Sequence, residues 1–150
     1  LSYIIGGAVR GILNGILVLL LAYFITGLHI ENWFLTLVYL WAVAWAFAGA
    51  GVIVGIYAKS WDSIMVLTNF FLMPLTFLGG VFYSIEMLPD FWRNISMANP
   101  LYWMINGLRY ATLGIADTSH ELSLGISVLF AIFFSTLASY MFSKGYRIKT

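Results

Sequence analysis

The chain of 150 residues holds no cysteine, only three prolines, and few charges: seven basic and six acidic side chains, 9% of the sequence. Without cysteine there is no disulfide framework, no thiolate nucleophile and no thiolate metal site, and the redox compartment is left open. Soluble domains carry about 25% charged residues, so a large soluble core under a water-facing surface is excluded. A net charge of +1, with its basic residues spread along the chain, gives no electrostatic footprint for nucleic acid, which is bound through clustered Lys and Arg. No cleaved signal pattern is apparent. The chain opens on Leu1 rather than Met and runs almost at once into an apolar stretch. It is expected to be a fragment or processed piece of a longer protein.

What is present is apolar: 62% of residues are hydrophobic and 18% aromatic. Charges act as punctuation, leaving uncharged runs at 11–30, 32–58, 63–85 and 122–143, of 20, 27, 23 and 22 residues. At ~1.5 Å per helical residue, about 20 residues cover the ~30 Å hydrocarbon layer. The expected fold is an all-α integral membrane protein, a single domain over 1–150, with spans at about 4–28, 33–58, 63–84 and 122–143.

Between the last two spans, Gly79–Asp117 is too apolar for an ordinary loop, yet its charge-free core, Asn94–Leu108, has only 15 residues. Such a segment re-enters the bilayer or lies along its surface. Pro89 suits the first turn of a short helix. Leu88, Phe91, Trp92, Ile95 and Ala98 then share an apolar face, opposite Asp90, Arg93 and Asn94. Asn99 precedes Pro100, which pushes it out of the helical region, and its side chain suits the cap of a second helix. On that helix Leu101, Met104, Ile105, Leu108 and Thr112 share a face, with Asn106 and Arg109 off it. The prediction is two helices, about 88–98 and 100–114, each about 15 Å long, a re-entrant or interfacial pair. Trp92, Tyr102, Trp103 and Tyr110 are types that favour the membrane interface.

Counting Lys and Arg sets orientation. If the pair does not cross, Arg10, Lys59, Lys144, Arg147 and Lys149 share one side against Arg93 and Arg109. If it crosses, the asymmetry vanishes. The positive-inside rule therefore places both ends and the Lys59–Asp62 turn in the cytoplasm, with Glu31 and the Glu86–Glu121 stretch outside.

Within the spans, Gly7, Gly11 and Gly15 recur every fourth residue, as do Ala42, Ala46 and Ala50, with Gly51 and Gly55 offset by one. Small residues let helices approach closely, either within one subunit or at a dimer seam. Pro74, mid-span, frees a carbonyl one turn earlier, and Gly79 and Gly80 follow. Together these three form a candidate hinge at the outer end of the third span. The uncharged runs hold no Asp, Glu, Lys or Arg, which disfavours proton relays and ion-coupled carriers, since these place such groups at membrane depth. No phosphate loop, HExxH helix or Ser-His-carboxylate set occurs, and His29 and His120 fall at span ends. No catalytic, cofactor or metal site is expected on the chain.

The ordered set LGGVFYS, LPDFW and NPLYWMINGLRY, then a last span with a basic tail, resembles the membrane subunits of ABC-2 type exporters. The resemblance covers the last four of the six spans such subunits carry. It implies that the amphipathic N-terminal helix, the first two spans and the cytoplasmic coupling segment lie upstream of Leu1. It also implies a dimer of membrane subunits, homomeric or heteromeric, in a bacterial inner membrane, served by separate ABC ATPase subunits that bind ATP and Mg. The third span would correspond to the family's fifth helix, near the dimer axis. Pro89, Phe91, Trp92, Asn99, Pro100, Tyr102 and Arg109 would shape an outer gate, and Lys59 to Asp62 would face the ATPase. Two other readings stand beside it: a passive channel using Asn99-Pro100 as a half-helix start, and a purely structural membrane subunit.

Overall fold

The computed structural model describes residues 1–145, of which 81% are helical, with no strand among them. Arg147 and Lys149, two of the basic residues in the charge count, lie outside the described residues. Four helices are long and apolar enough to cross a membrane: α1 (Ser2–Thr26), α2 (Trp33–Tyr57), α3 (Trp61–Leu78) and α6 (His120–Ser143). Between α3 and α6 come a 3-10 turn (Ile85–Met87) and two shorter helices, α4 (Asp90–Ala98) and α5 (Pro100–Leu113). The four long helices alternate in direction. One end of the bundle, the cap end, carries residues 27–32 and 79–119.

Helix boundaries follow from local chemistry. Asn32 caps α2, its side chain accepting from the Leu35 amide at 3.0 Å. Ser60 caps α3, whose first turn holds Asp62. α1 and α5 end on Gly27 (φ 66°) and Gly114 (φ 73°), left-handed positions that glycine takes without steric cost. Pro89 precedes α4 in an extended conformation (ψ 152°), so the helix begins at Asp90 rather than in the turn containing Leu88. α3 stops at Leu78, short of the expected 84. Gly79 (ψ 0°) and Gly80 (φ 80°) turn the backbone out of the helix.

A local widening of the helix precedes Pro74. Thr68–Leu72 form a π turn. It lies one turn before the proline, whose missing N–H leaves a carbonyl without an α-helical partner.

α2 is the central element. It packs on α1, on α6 and, near the cap, on α5, which in turn lies on α6. The contact with α1 uses small residues. A Cβ built at Gly7 or Gly11 would come within 3.0 Å of the Ala48 or Ala44 Cβ. Backbones that approach so closely gain dispersion contacts, the main cohesive term between helices in lipid. The first glycine stripe is therefore a seam within the chain. On its other side α2 sets Gly49 against Phe134 and donates from Trp45 Nε1 to Ser135 Oγ at 2.6 Å. Ala46, Met104 and Ala131 bring α2, α5 and α6 to one small core. α3 differs from these. None of its residues is buried within the chain, and its packing is concentrated at the cap end, on α5.

Candidate functional site: the polar cap

At the cap end, backbone groups freed by helix termini are taken up by side chains from other elements. The end of α3 shows this twice. Gly79 N–H donates to Thr76 O, so Leu75 O accepts instead from Asn99 Nδ2 at 2.6 Å. The Asn99 Oδ1 meanwhile accepts from the Leu101 amide at 3.0 Å and caps α5. One turn further, Gly80 O accepts from the Arg109 guanidinium. The positive φ of Gly80 aims that carbonyl at α5. Two residues of α5 and its cap thus hold the end of the third span by its own orphan carbonyls.

Arg109 has a second partner. Its Nη1 lies 3.4 Å from Asp117 Oδ2, with side-chain exposures of 21% and 10%. The Asp117 carboxylate also accepts from Ser84 Oγ at 2.8 Å and from the Ile85 amide at 3.2 Å. A carboxylate this buried persists because charge and hydrogen bonds replace the water it has lost. Asp117 N–H donates to Asn106 Oδ1 at 2.9 Å. The Asn106 amide nitrogen faces Thr118 Oγ1 and Ser123 Oγ at 3.0 and 2.9 Å. Tyr102 Oη lies 3.3 Å from the same Thr118 hydroxyl. Burial pushes the Tyr102 phenol above its ordinary range, a shift that the Thr118 hydrogen bond opposes.

A second seam ties the cap to the α1–α2 connection. The Glu31 and Asn32 amides donate to Thr112 O and Ala111 O, each at 3.1 Å, satisfying the last carbonyls of α5. Tyr110 stacks on His120 with ring centroids 4.2 Å apart. His120 is the first residue of α6, and its carbonyl accepts from Tyr39 Oη at 2.5 Å.

The structure brings Gly79, Gly80, Asn99, Pro100, Tyr102 and Arg109 together around the end of α3, with Pro74 one residue before Leu75. It does not bring Phe91 and Trp92 there. These side chains are 68% and 46% exposed on α4, so the chain leaves the apolar face of that helix uncovered. Lys59 and Asp62 are exposed at the opposite end of the bundle. Two expectations change. Tyr102 is 1% exposed, so it serves the interior of the cap rather than an interfacial belt, while Tyr110 stays partly exposed and stacks on His120. The polar side of α5 is also an inward side: Asn106 is 1% exposed.

Sequence reasoning passed over Asn106 as a site residue, along with Asp117, Ser84, Thr118 and Ser123. The available signal was Asn106 and Arg109 one turn apart in an otherwise apolar helix, a polar stripe that needs buried partners when the other face must meet lipid.

Two open clefts lie beside α3, the first among α2, α3, α5 and α6 and the second between α2 and the start of α3. One, of about 130 Å³, is lined by Ala46, Ala50, Leu72, Leu75, Leu101 and Phe134 among others. The other, of about 430 Å³ toward the opposite end, is lined by Ile53, Val54, Tyr57, Ala58, Ser63 and Leu67. α3 is thus held at the cap but stands off from α2 below it.

Residues 1–113 match the family model described as ABC-2 type transporter. The chain is 38% identical over 144 residues to the inner membrane transport permease YadH of Escherichia coli (strain K12), a match covering 96% of the chain and 56% of that relative. Nodulation protein J of Sinorhizobium fredii (strain NBRC 101917 / NGR234) is 30% identical over 87 residues, covering 58% of the chain and 33% of the relative. The chain therefore spans about half the length of the curated permeases it matches. No solved structure matches it. Four membrane-length helices, a folded cap between the last two and a family match over most of the sequence lead to one assignment: the chain belongs to the ABC-2 type transporter family.

Proposed function

We propose that the chain is the membrane-spanning part of a permease subunit in an ATP-driven exporter, carrying substrate outward across a bacterial inner membrane. The observation that carries the reading is the ABC-2 match over residues 1–113. The inner-membrane permease at 38% identity supports the location. ATP and Mg are bound and used on a separate ABC ATPase, and the membrane subunit pairs with a second copy or a close relative. The chain itself does no covalent chemistry.

Orientation follows from charge. Lys59 and Lys144 stand at the end opposite the cap and Arg10 within α1 in the half nearer that end, with Arg93 and Arg109 at the cap. Arg109 is neutralised by Asp117, which lowers its weight as a topological signal. The cap then faces outward, both ends of the chain face the cytoplasm, and the Lys59–Asp62 turn faces the ATPase. In this reading the cap is the outer gate, with Arg109, Asn99, Pro100 and Tyr102 in its frame. Phe91 and Trp92 lie at the lipid surface beside it, and Pro74, Gly79 and Gly80 form the hinge where α3 meets it. A channel running through the Asn99–Pro100 turn is less well supported, because both amide atoms of Asn99 are already engaged by Leu75 O and Leu101 N.

The test is assembly and coupling. Purified from its host with native partners, the full-length permease should bring down an ABC ATPase whose ATP turnover depends on it. Repeated recovery without any ATPase, or flux that proceeds without ATP, would overturn the reading.

A further inference from the structure

We propose that a polar cavity at the cap, between Glu31–Asn32 and the end of α5, binds a primary ammonium beside a phosphate, the headgroup of phosphatidylethanolamine. The inference goes beyond the export reading and does not depend on it.

The cavity has a volume of about 400 Å³ and is lined by Glu31, Asn32, Tyr110, Leu113 and Gly114. Contacts within the chain fix its walls. The Glu31 and Asn32 amides donate to Thr112 O and Ala111 O. Gly114, at φ 73°, lets the Glu31 side chain lie alongside, since a Cβ there would meet Glu31 Cγ at 3.1 Å.

The acceptors on this wall favour a cation. Among the described residues the Glu31 carboxylate has neither an ion pair nor a hydrogen bond. Both arginines of the cap are engaged elsewhere, Arg93 with Asp90 at 4.0 Å and Arg109 with Asp117 and Gly80 O. Leu113 O, at the end of α5, also accepts no hydrogen bond there, because the Asp117 N–H that would continue the helix donates to Asn106 Oδ1. A carboxylate and an orphan carbonyl at the negative end of a helix dipole draw positive charge. Calcium takes about six to eight oxygen ligands, and no group of three or more metal-ligating side chains occurs among the described residues. An ammonium needs only acceptors for its N–H groups.

The same cavity also offers donors. Asn32 Oδ1 is committed to the Leu35 amide, which leaves its Nδ2 without a partner among the described residues. The Tyr110 hydroxyl makes no hydrogen bond there either, while its ring is held by the stack on His120. Acceptors beside donors complement a zwitterion, the carboxylate and carbonyl meeting the ammonium and the amide and phenol meeting the phosphate. Depth selects the lipid as the source. The cavity lies between the end of α1 and the start of α2, next to Trp33, a residue type that favours the headgroup level.

The test is native mass spectrometry of the full-length permease, purified in detergent and titrated with phosphatidylethanolamine, with phosphatidylcholine of the same acyl chains, or with free ethanolamine. The parent should retain one phosphatidylethanolamine per subunit, about tenfold more tightly than phosphatidylcholine, whose quaternary ammonium has no N–H to donate. Glu31→Gln, which keeps the side-chain volume and the backbone amide, should weaken retention about tenfold, and Tyr110→Phe, which keeps the stacked ring, about fivefold. Melting midpoints identify a variant that has lost its fold. If Glu31→Gln does, the selectivity of the parent and the Tyr110→Phe variant decide. Equal retention of the two lipids, retention unchanged in both variants, or no retention because a lysine or arginine from the rest of the full-length subunit fills the cavity would each overturn the proposal. Free ethanolamine bound as tightly as the lipid would uphold the ammonium site and overturn the lipid as its source.

Discussion

Tyr39 lies over Gly107, so close that a Cβ at residue 107 would overlap its ring. This contact lets the phenol reach His120 O at 2.5 Å. α2, α5 and the start of α6 therefore meet at one point. Glycine inside a helix normally costs about 0.5–1 kcal/mol relative to alanine, and here that cost is the condition for the three-way contact.

Gly107→Ala should accordingly destabilise rather than stabilise. Overpacking a filled site costs about 1–3 kcal/mol, or about 2–4 °C of melting midpoint per kcal/mol in a chain of this size. A thermal scan in detergent reads it. Tyr39→Phe should cost less, about 1 kcal/mol, because the ring still fits over Gly107 and only the hydrogen bond is lost. A Gly107→Ala variant as stable as the parent would show that the ring is not held where the contact places it.

Arg109 makes two contacts at once, with Asp117 and with Gly80 O. Removing either charge strands the other in a mostly buried site, and Asp117→Asn or Arg109→Met should each cost about 3 kcal/mol. Arg109→Lys should recover only part of that, since an ammonium lacks the planar fork that serves both acceptors. The swapped pair Arg109→Asp with Asp117→Arg should not rescue folding. A carboxylate at 109 would face the Gly80 carbonyl, and an arginine at 117 would face the Ile85 amide. Full recovery by the swap would mean that the ion pair matters and the carbonyl and amide contacts do not.

The outline of this fold was legible in the sequence, and the reason is local. Charge placement located the four spans to within a few residues at most ends, because span length is fixed by bilayer thickness. Asn99-Pro100 located the break between α4 and α5, because the restriction before proline acts on its immediate neighbour. The end of α3 was not legible. Val81, Phe82 and Tyr83 continue the apolar run, and hydropathy does not register the backbone turn at Gly79-Gly80. Asp117 was missed for a different reason. Its partners Ser84, Ile85, Asn106 and Arg109 lie 8 to 33 positions away, and no periodicity connects residues brought together only by tertiary packing.

Asn99 does two jobs with two atoms, and substitutions can separate them. Asn99→Asp keeps an acceptor for the Leu101 amide but turns a second oxygen toward Leu75 O. The helix cap should survive and the tether to α3 should be lost. Asn99→Ala loses both. Amide hydrogen exchange should therefore quicken in residues 76–80 for both variants, and in the first turn of α5 for Asn99→Ala alone. Replacing a capping residue by alanine typically costs about 1 kcal/mol. Equal exchange changes in the two variants would mean that cap and tether act as one unit.

The glycines of α1 and α2 look alike in sequence and differ in what surrounds them. A Cβ at Gly49 would lie 2.9 Å from the Phe134 Cβ and 3.0 Å from its carbonyl carbon. Backbone cannot step aside, so Gly49→Ala should force α6 away from α2 and cost the most, toward the upper end of about 1–3 kcal/mol. At Gly11 the same change meets the Ala44 Cβ at 3.0 Å, a contact that a shift of a few tenths of an ångström relieves, so the loss should be smaller. At Gly51 and Gly55 nothing lies within 4 Å, and alanine there should be neutral or mildly stabilising for folding through its better helix propensity. Melting midpoints in the order Gly49→Ala, then Gly11→Ala, then Gly51→Ala from lowest to highest would fit packing within one subunit. A Gly51→Ala variant that folds normally yet loses its partner subunit on gel filtration would place the second small-residue stripe at a seam between subunits instead.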